Sequence, residues 1–267
     1  MRIVSLCPSN TEALAFLGLE KLLVGTDNYS DWPEGVRELP KLGPDLDIDM
    51  DRVEALKPDL VVASLTVPGM EKNVERLVER GLPHLVLSPN KLDDVADNLL
   101  TLGEATGRQE AAGRAHEAFT ETIRRYREIS RRAESRPSVY WEWWAKPVFT
   151  PGGGNWLTEL TELAGGRNLF ADRPEPSVRS TWEEVAERQP DHIALAWVGI
   201  RPKLVKPDTV RARPGWDALE AVRRDRIHVM EEALFCRPSP RLLDGLKKLA
   251  TVLHPELYGP MKGGEPI

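Results

Sequence analysis

The chain has 267 residues, 41 % hydrophobic and 29 % charged, a balance that suits a soluble globular protein of one large domain or two lobes. Its formal net charge of −6 argues against general nucleic-acid binding, which needs Lys and Arg to neutralise phosphates. No stretch reaches the roughly 18 to 20 apolar residues of a membrane span.

The N-terminus, MRIVSLCPSN, runs straight into an apolar strand and lacks the apolar core and cleavage site of a secretory signal. On that reading the protein is cytoplasmic, or its leader has been replaced by a new Met. Two cysteines, Cys7 and Cys236, cannot build a disulfide framework, and the five histidines show no metal spacing. No protein-held metal and no cofactor are expected.

In chain order, RIVSL (2–6) reads as a strand, NTEALAFLGL (10–19) as a helix and LLVGT (22–26) as a second strand before the turn-rich NYSDWP. DMDRVEALKPDLVVAS (49–64) gives a helix, a Lys-Pro-Asp corner and a buried β-branched strand. EKNVERLVERG (71–81) is a helix and HLVLS (84–88) a strand. Strands alternating with helices predict a parallel α/β sheet. Residues 92–134 then show apolar positions at helical spacing, as one helix or two abutting ones. Such a length suits a strut between lobes.

The second half repeats the plan. DRVEALKPDLVVAS (51–64) parallels EEVAERQPDHIALAW (183–197), each with a helix, a Pro-Asp corner and an apolar strand. RIVSL before a helix is matched by VYWEWW before WLTELTELAGG. The expected architecture is therefore α/β, with two Rossmann-like lobes of parallel sheet bridged by a single long helix. The expected boundaries are 1–107 for the N-terminal lobe, 108–134 for the linking helix and 135–267 for the C-terminal lobe. Loops at the carboxyl ends of the strands would line a cleft between the lobes, namely 7–10, 28–33, 64–69, 143–155, 197–201 and 235–241.

Those loops are rich in aromatics. VYWEWWAKPVFTPGGGNW (139–156) holds four of the eight tryptophans. Trp141 is expected in the core. Trp143, Trp144, Tyr29, Trp32, Phe149, Trp197 and Phe235 are candidate surfaces for a flat ligand, because indole and phenol rings are rigid and amphipathic. PGGGNW lacks both nucleotide-loop patterns, so its glycines are read as allowing close backbone approach to a ligand. Cys7 is read as a small residue at a strand end. Glu142 has no paired carboxylate in sequence to act with it as an acid–base couple.

RIVSLCPSNTEALAFLGL, LLVGTDNYSDWPEGVRELPKLG, VEALKPDLVVAS, FTPGGGNWLTELTELAGGRNLFAD and FCRPSPRLLDGLKKLATVLHP, in this order, resemble class III substrate-binding proteins of ABC importers for metal chelates. The resemblance is closest to the vitamin B12-binding branch. It implies a non-enzymatic monomer that binds a small-molecule chelate, most readily cobalamin or another corrinoid, and delivers it to transporter permease subunits. Matched motifs place Tyr29, Phe149 and Arg237 at the ligand, with Asp51 and Glu183 as transporter-docking acids. The resemblance implies a periplasmic or cell-surface location. The alternatives are a cytoplasmic corrinoid-handling protein or enzyme on the same fold, and a haem or ferric-siderophore receptor. One departure is that Asp45 and Ser177 stand near the positions where the B12 branch brackets its ligand with tryptophans.

Overall fold

Four apolar runs of the first ninety residues form strands of a parallel sheet in the computed structural model, which describes residues 1–259. The chain divides into two compact units. One is Met1–Thr120 with Pro238–Pro240, and the other is Glu121–Arg237 with the described residues from Arg241 to Gly259.

The first unit contains β1 (Ile3–Ser5), α1 (Pro8–Phe16), β2 (Leu23–Thr26), α2 (Met50–Ala55), β3 (Leu60–Ser64), α3 (Glu71–Glu79), β4 (His84–Leu87) and α4 (Leu92–Thr106). Its sheet runs β2-β1-β3-β4, with every pair parallel. β1 and β3 are buried at every position, which is why they read as unbroken apolar runs rather than alternating ones. Val4, Leu42, Val53, Val61 and Leu77 meet in the core beneath them.

After α5 (Gln109–Ser130), the second unit contains β5 (Ser138–Glu142), β6 (Trp144–Ala145), β7 (Val148–Pro151), α6 (Trp156–Leu163), β8 (Arg167–Asn168), β9 (Ser177–Ser180), α7 (Trp182–Glu187) and β10 (His192–Leu195). It continues with α8 (Pro207–Arg211), α9 (Glu220–Arg223), β11 (Ile227–Val229), α10 (Glu232–Phe235), α11 (Leu242–Leu253) and α12 (Pro255–Tyr258). Its parallel sheet, read as β8-β5-β10-β11, has the strand order of the first unit, second-first-third-fourth. A small antiparallel sheet, β6-β7-β9, is added to this plan.

The Pro-Asp corners explain how the sequence similarity becomes structural. α2 and α7 both end in a left-handed residue before the proline, Lys57 at φ 47° and Gln189 at φ 49°. The following aspartates then close the same bonds. The Asp59 carboxylate accepts from Arg2 N–H at 2.6 Å and the Asp191 carboxylate from Ser138 N–H at 2.8 Å. Asp59 N–H donates to Arg2 C=O at 2.9 Å and Asp191 N–H to Ser138 C=O at 3.1 Å. Each corner thus pins the start of its third strand to the start of its first.

The long polar stretch is two helices. Gly107, at φ +68°, ends α4, and Arg108 N–H closes onto Gly103 C=O at 2.7 Å. The division between the two units falls inside α5, after Thr120.

Candidate ligand-binding loops

In the first unit the loop after β2 is built on a buried carboxylate. Asp27 accepts the N–H groups of Tyr29 at 2.7 Å and Ser30 at 3.1 Å, and also the Ser30 hydroxyl. Lys41 Nζ donates to Thr26 Oγ1 at 2.9 Å and to Ser30 C=O at 2.8 Å. Burial raises the Asp27 carboxyl above the usual range although these hydrogen bonds oppose it. On this braced turn Tyr29 is 53 % exposed, and Trp32 is half-buried beyond it. Leu65 and Val67, on the loop after β3, are exposed as well.

In the second unit the tryptophans separate by role. Trp141 is fully buried, as expected, and its indole N–H donates to Thr161 Oγ1 at 2.9 Å. β5 ends at Glu142, earlier than the sequence reading, because Trp143 N–H turns to Phe149 C=O at 3.0 Å. Trp143 is half-buried, and its indole N–H is buried without a hydrogen-bond partner. Trp144 is 47 % exposed and lies opposite the half-buried Phe149 across the β6–β7 hairpin. Trp197 is half-buried, with Val198 exposed beside it.

Phe235 must be withdrawn from the candidate surface. It is 0 % exposed, its ring packs on Trp141 with centroids 5.1 Å apart, and its carbonyl accepts from Trp156 Nε1. A side chain sealed in the core cannot touch a ligand. Arg237 is also largely buried and pairs with Glu232 at 3.1 Å, so its charge is already met within the unit.

The glycines of PGGGNW approach protein backbone. A Cβ on Gly152 would meet Glu175 O at 2.2 Å, one on Gly153 Ala171 O at 2.7 Å, and one on Gly154 Pro174 O at 2.7 Å. Gly153 N–H already donates to Arg173 C=O at 2.6 Å. This loop is therefore filled by the 171–176 segment.

Sequence reasoning missed the centre of the second unit. Glu142, at the carboxyl end of β5, is fully buried and receives Arg213 at 2.6 and 2.7 Å through two nitrogens. Tyr140 OH donates to the same carboxylate at 2.7 Å and Trp197 Nε1 at 2.9 Å. The Arg213 guanidinium lies 4.7 Å from the ring centroid of Trp182 and 4.5 Å from that of Trp216. The one signal available in sequence was an acid inside an otherwise apolar strand. Glu142 is thus an ion-paired positioner of Trp197. The two thiols are equally quiet: burial pushes Cys7 up to about 11 and raises Cys236 too.

Asp51 and Glu183 occupy matching places, the second residue of α2 and of α7, and both are exposed. Asp51 meets Arg80 at 2.6 Å. The Glu183 carboxyl is held below its usual range by its own backbone N–H and the Thr181 hydroxyl. Asp45 is half-buried, its carbonyl accepting from Asn73, and Ser177 is exposed on β9.

Residues 3–234 match the model of a family described as periplasmic binding protein. The chain belongs to this family. The chain is a binding protein and not an enzyme, and its ligand is a transported substrate rather than a cofactor. It is 30 % identical to the vitamin B12-binding protein of Vibrio cholerae over 254 residues, 94 % of this chain and 88 % of that one. It is 27 % identical to the uncharacterized ABC transporter substrate-binding lipoprotein YvrC of Bacillus subtilis, over 96 % of this chain and 81 % of that one. The crystal structure of a periplasmic heme binding protein from Pseudomonas aeruginosa matches with a TM-score of 0.84 at 25 % identity, covering 98 % of this chain and 95 % of that one. Two α/β lobes with parallel sheets are the fold of this family member. Among the described residues no helix is long and apolar enough to cross a membrane. The relatives give no support to the cytoplasmic alternative.

Proposed function

We propose that this periplasmic binding protein captures a planar metal chelate, with a corrinoid such as cobalamin as the leading ligand, and delivers it to the permease of an ABC importer outside the cytoplasm. The observation that carries the reading is a group of exposed apolar side chains at strand ends, distinct from those such as Val78 and Leu204 that lie elsewhere. Tyr29, Leu65, Val67, Trp144 and Val198 all lie just past the carboxyl ends of strands in the two parallel sheets or in the β6–β7 hairpin that follows β5. These are the ends at which α/β folds bind ligands, and exposed rings there cost free energy unless something covers them. Trp32, Trp143, Phe149 and Trp197 extend the same loops, and Arg237, although paired with Glu232, is the basic residue that the matched motif adds to the set. Burial of a corrin face against them contributes about 25 cal/mol per Å². The Asp27-braced turn and the Glu142–Arg213 pair hold two of the aromatics before ligand arrives, which lowers the ordering cost of binding. Asp51 and Glu183 are the proposed permease contacts, acting through exposed charge that sets register and encounter rate.

A haem or ferric-siderophore receptor is the second reading. Asp45 and Ser177 favour it, since neither supplies the aromatic that would bracket a corrin. Tryptophan fluorescence, titrated with cyanocobalamin, hemin and a ferric siderophore and corrected for inner-filter absorption, distinguishes the two. Saturable one-to-one quenching by cyanocobalamin alone is expected. Saturation only with hemin or the siderophore would replace the corrinoid, and no saturation with any of the three would overturn the chelate reading.

A further inference from the structure

One cationic cluster of the chain lies away from the ligand loops and is opposite in sign to the whole protein. Between residues 124 and 136 stand Arg124, Arg125, Arg127, Arg131, Arg132 and Arg136, against Glu128 and Glu134, while the chain as a whole carries −6. Arg124 is neutralised by Glu121 and Glu128. Arg125, Arg127, Arg131 and Arg132 are exposed and make no ion pair among the described residues, and the same is true of Arg167.

Their place in the second unit is defined. Arg136 precedes β5 and Arg167 opens β8, and these two strands run parallel from Ser138 paired with Arg167. The cluster therefore sits at the amino ends of the strands, whereas Trp144, Trp197 and Val198 follow their carboxyl ends. Glu183, in the first turn of a helix that returns antiparallel to the strands, also belongs to the carboxyl end. Beside the arginines, Tyr126 and Tyr258 stack with ring centroids 5.3 Å apart and 15° between planes, both only part-buried.

We propose that this arginine face is a contact surface for an anionic phospholipid bilayer, on which the protein rests with the ligand loops of its second unit turned towards solvent. Guanidiniums spread over the exposed side of the end of α5 and its following turn suit an extended plane of phosphates, since each cation near such a surface adds a small increment and several add up. Part-buried tyrosines are the aromatic type enriched at headgroup depth. Elsewhere the protein's negative charge is repelled by the same surface, which fixes the orientation. Because Glu183 lies at the other end of the sheet, resting on lipid and engaging a permease through Glu183 are separate orientations of the second unit. The permease half of that statement rests on the proposed function; the lipid contact does not.

The test is flotation of the purified full chain with vesicles of phosphatidylglycerol and phosphatidylcholine, against vesicles of phosphatidylcholine alone. Binding to the anionic vesicles alone is expected, falling as NaCl is raised from about 0.05 to about 0.3 M. The variant Arg125→Gln/Arg127→Gln/Arg131→Gln/Arg132→Gln is expected to lose at least about tenfold in partitioning. Its circular dichroism and chelate titration should match the parent. A control, Lys21→Gln/Lys57→Gln/Lys72→Gln/Lys203→Gln, removes the same charge from exposed sites elsewhere and should change partitioning less than about twofold. Absence of binding to the anionic vesicles, as for a face that meets only solvent or an acidic protein, would overturn the proposal. So would an equal loss in the lysine control. Failure of the chelate titration leaves this result standing by itself, so the two readings fall separately.

Discussion

Replacing Glu142 by Gln tests the account of how the second unit is held together. The carboxylate is 0 % exposed and its partner guanidinium 3 % exposed, joined by two bonds of 2.6 and 2.7 Å. Glutamine keeps the volume and an oxygen for Trp197, but leaves the Arg213 charge buried with no counter-charge. Breaking a buried pair in this way costs about 3–5 kcal/mol. Since glutamine still accepts hydrogen bonds, the lower end applies, about 3 kcal/mol. For a unit of this size that corresponds to a fall of roughly 10 °C in Tm. The double variant Glu142→Gln/Arg213→Met removes both charges and keeps an apolar stem between Trp182 and Trp216. It is expected to recover about 2 kcal/mol of the loss, because no unpaired charge is then left buried. Urea unfolding of parent, both single variants and the double variant gives the coupling directly. A loss under about 1 kcal/mol for Glu142→Gln, or a double variant no more stable than that single one, would mean that this pair does not hold the unit together.

Further expectations concern the ligand loops, the docking acids and acid stability. Tyr29→Ala should weaken chelate binding by about 2 kcal/mol, roughly 30-fold in Kd, by removing one ring face of contact. Asp27→Ala should weaken it less while lowering stability by about 1–3 kcal/mol, since it frees the turn but leaves the ring. Equal binding in Tyr29→Ala and parent would remove Tyr29 from the site. The double reversal Asp51→Arg/Glu183→Arg should abolish stimulation of the transporter ATPase with no change in chelate affinity, and unchanged stimulation would exclude docking there. Burial and the neighbouring His228 lower His192 from 6.5 to about 4, with Arg226 acting the same way and Asp191 opposing. A base depressed by folding stabilises the neutral form. The contribution of His192 is therefore complete above pH 6.5 and lost as pH falls towards 4, about 1–2 kcal/mol after allowing for its partial solvation. His192→Gln should flatten the Tm profile across that window, and an unaltered slope would rule out His192 as its source.

How far the sequence reached is clear from particular residues. Strands such as LVVAS and HIAL were legible because a parallel strand covered on both faces must be apolar at every position, a local property of composition. The two Pro-Asp corners were legible as a repeat because each does the same job with the same atoms, pinning a third strand to a first. Trp141 could be placed in the core from its strand position, and Tyr29 in a loop from the turn residues around it. Phe235 could not be placed, since only the approach of Trp141 from β5 and Trp156 from α6 decides that its ring is covered. The same holds for PGGGNW, whose glycines answer to carbonyls of the 171–176 segment that no local pattern reveals. Glu142 and Arg213 are 71 residues apart, and neither carries a sequence mark of the other. Composition, periodicity and turn chemistry act between near neighbours, so the strands, the repeat and the aromatic loops are legible in the chain alone. Burial and ion pairing depend on what folding brings in from far along the chain, so which of those aromatics is core, and which acid pairs inside the second unit, emerges from the folded chain alone.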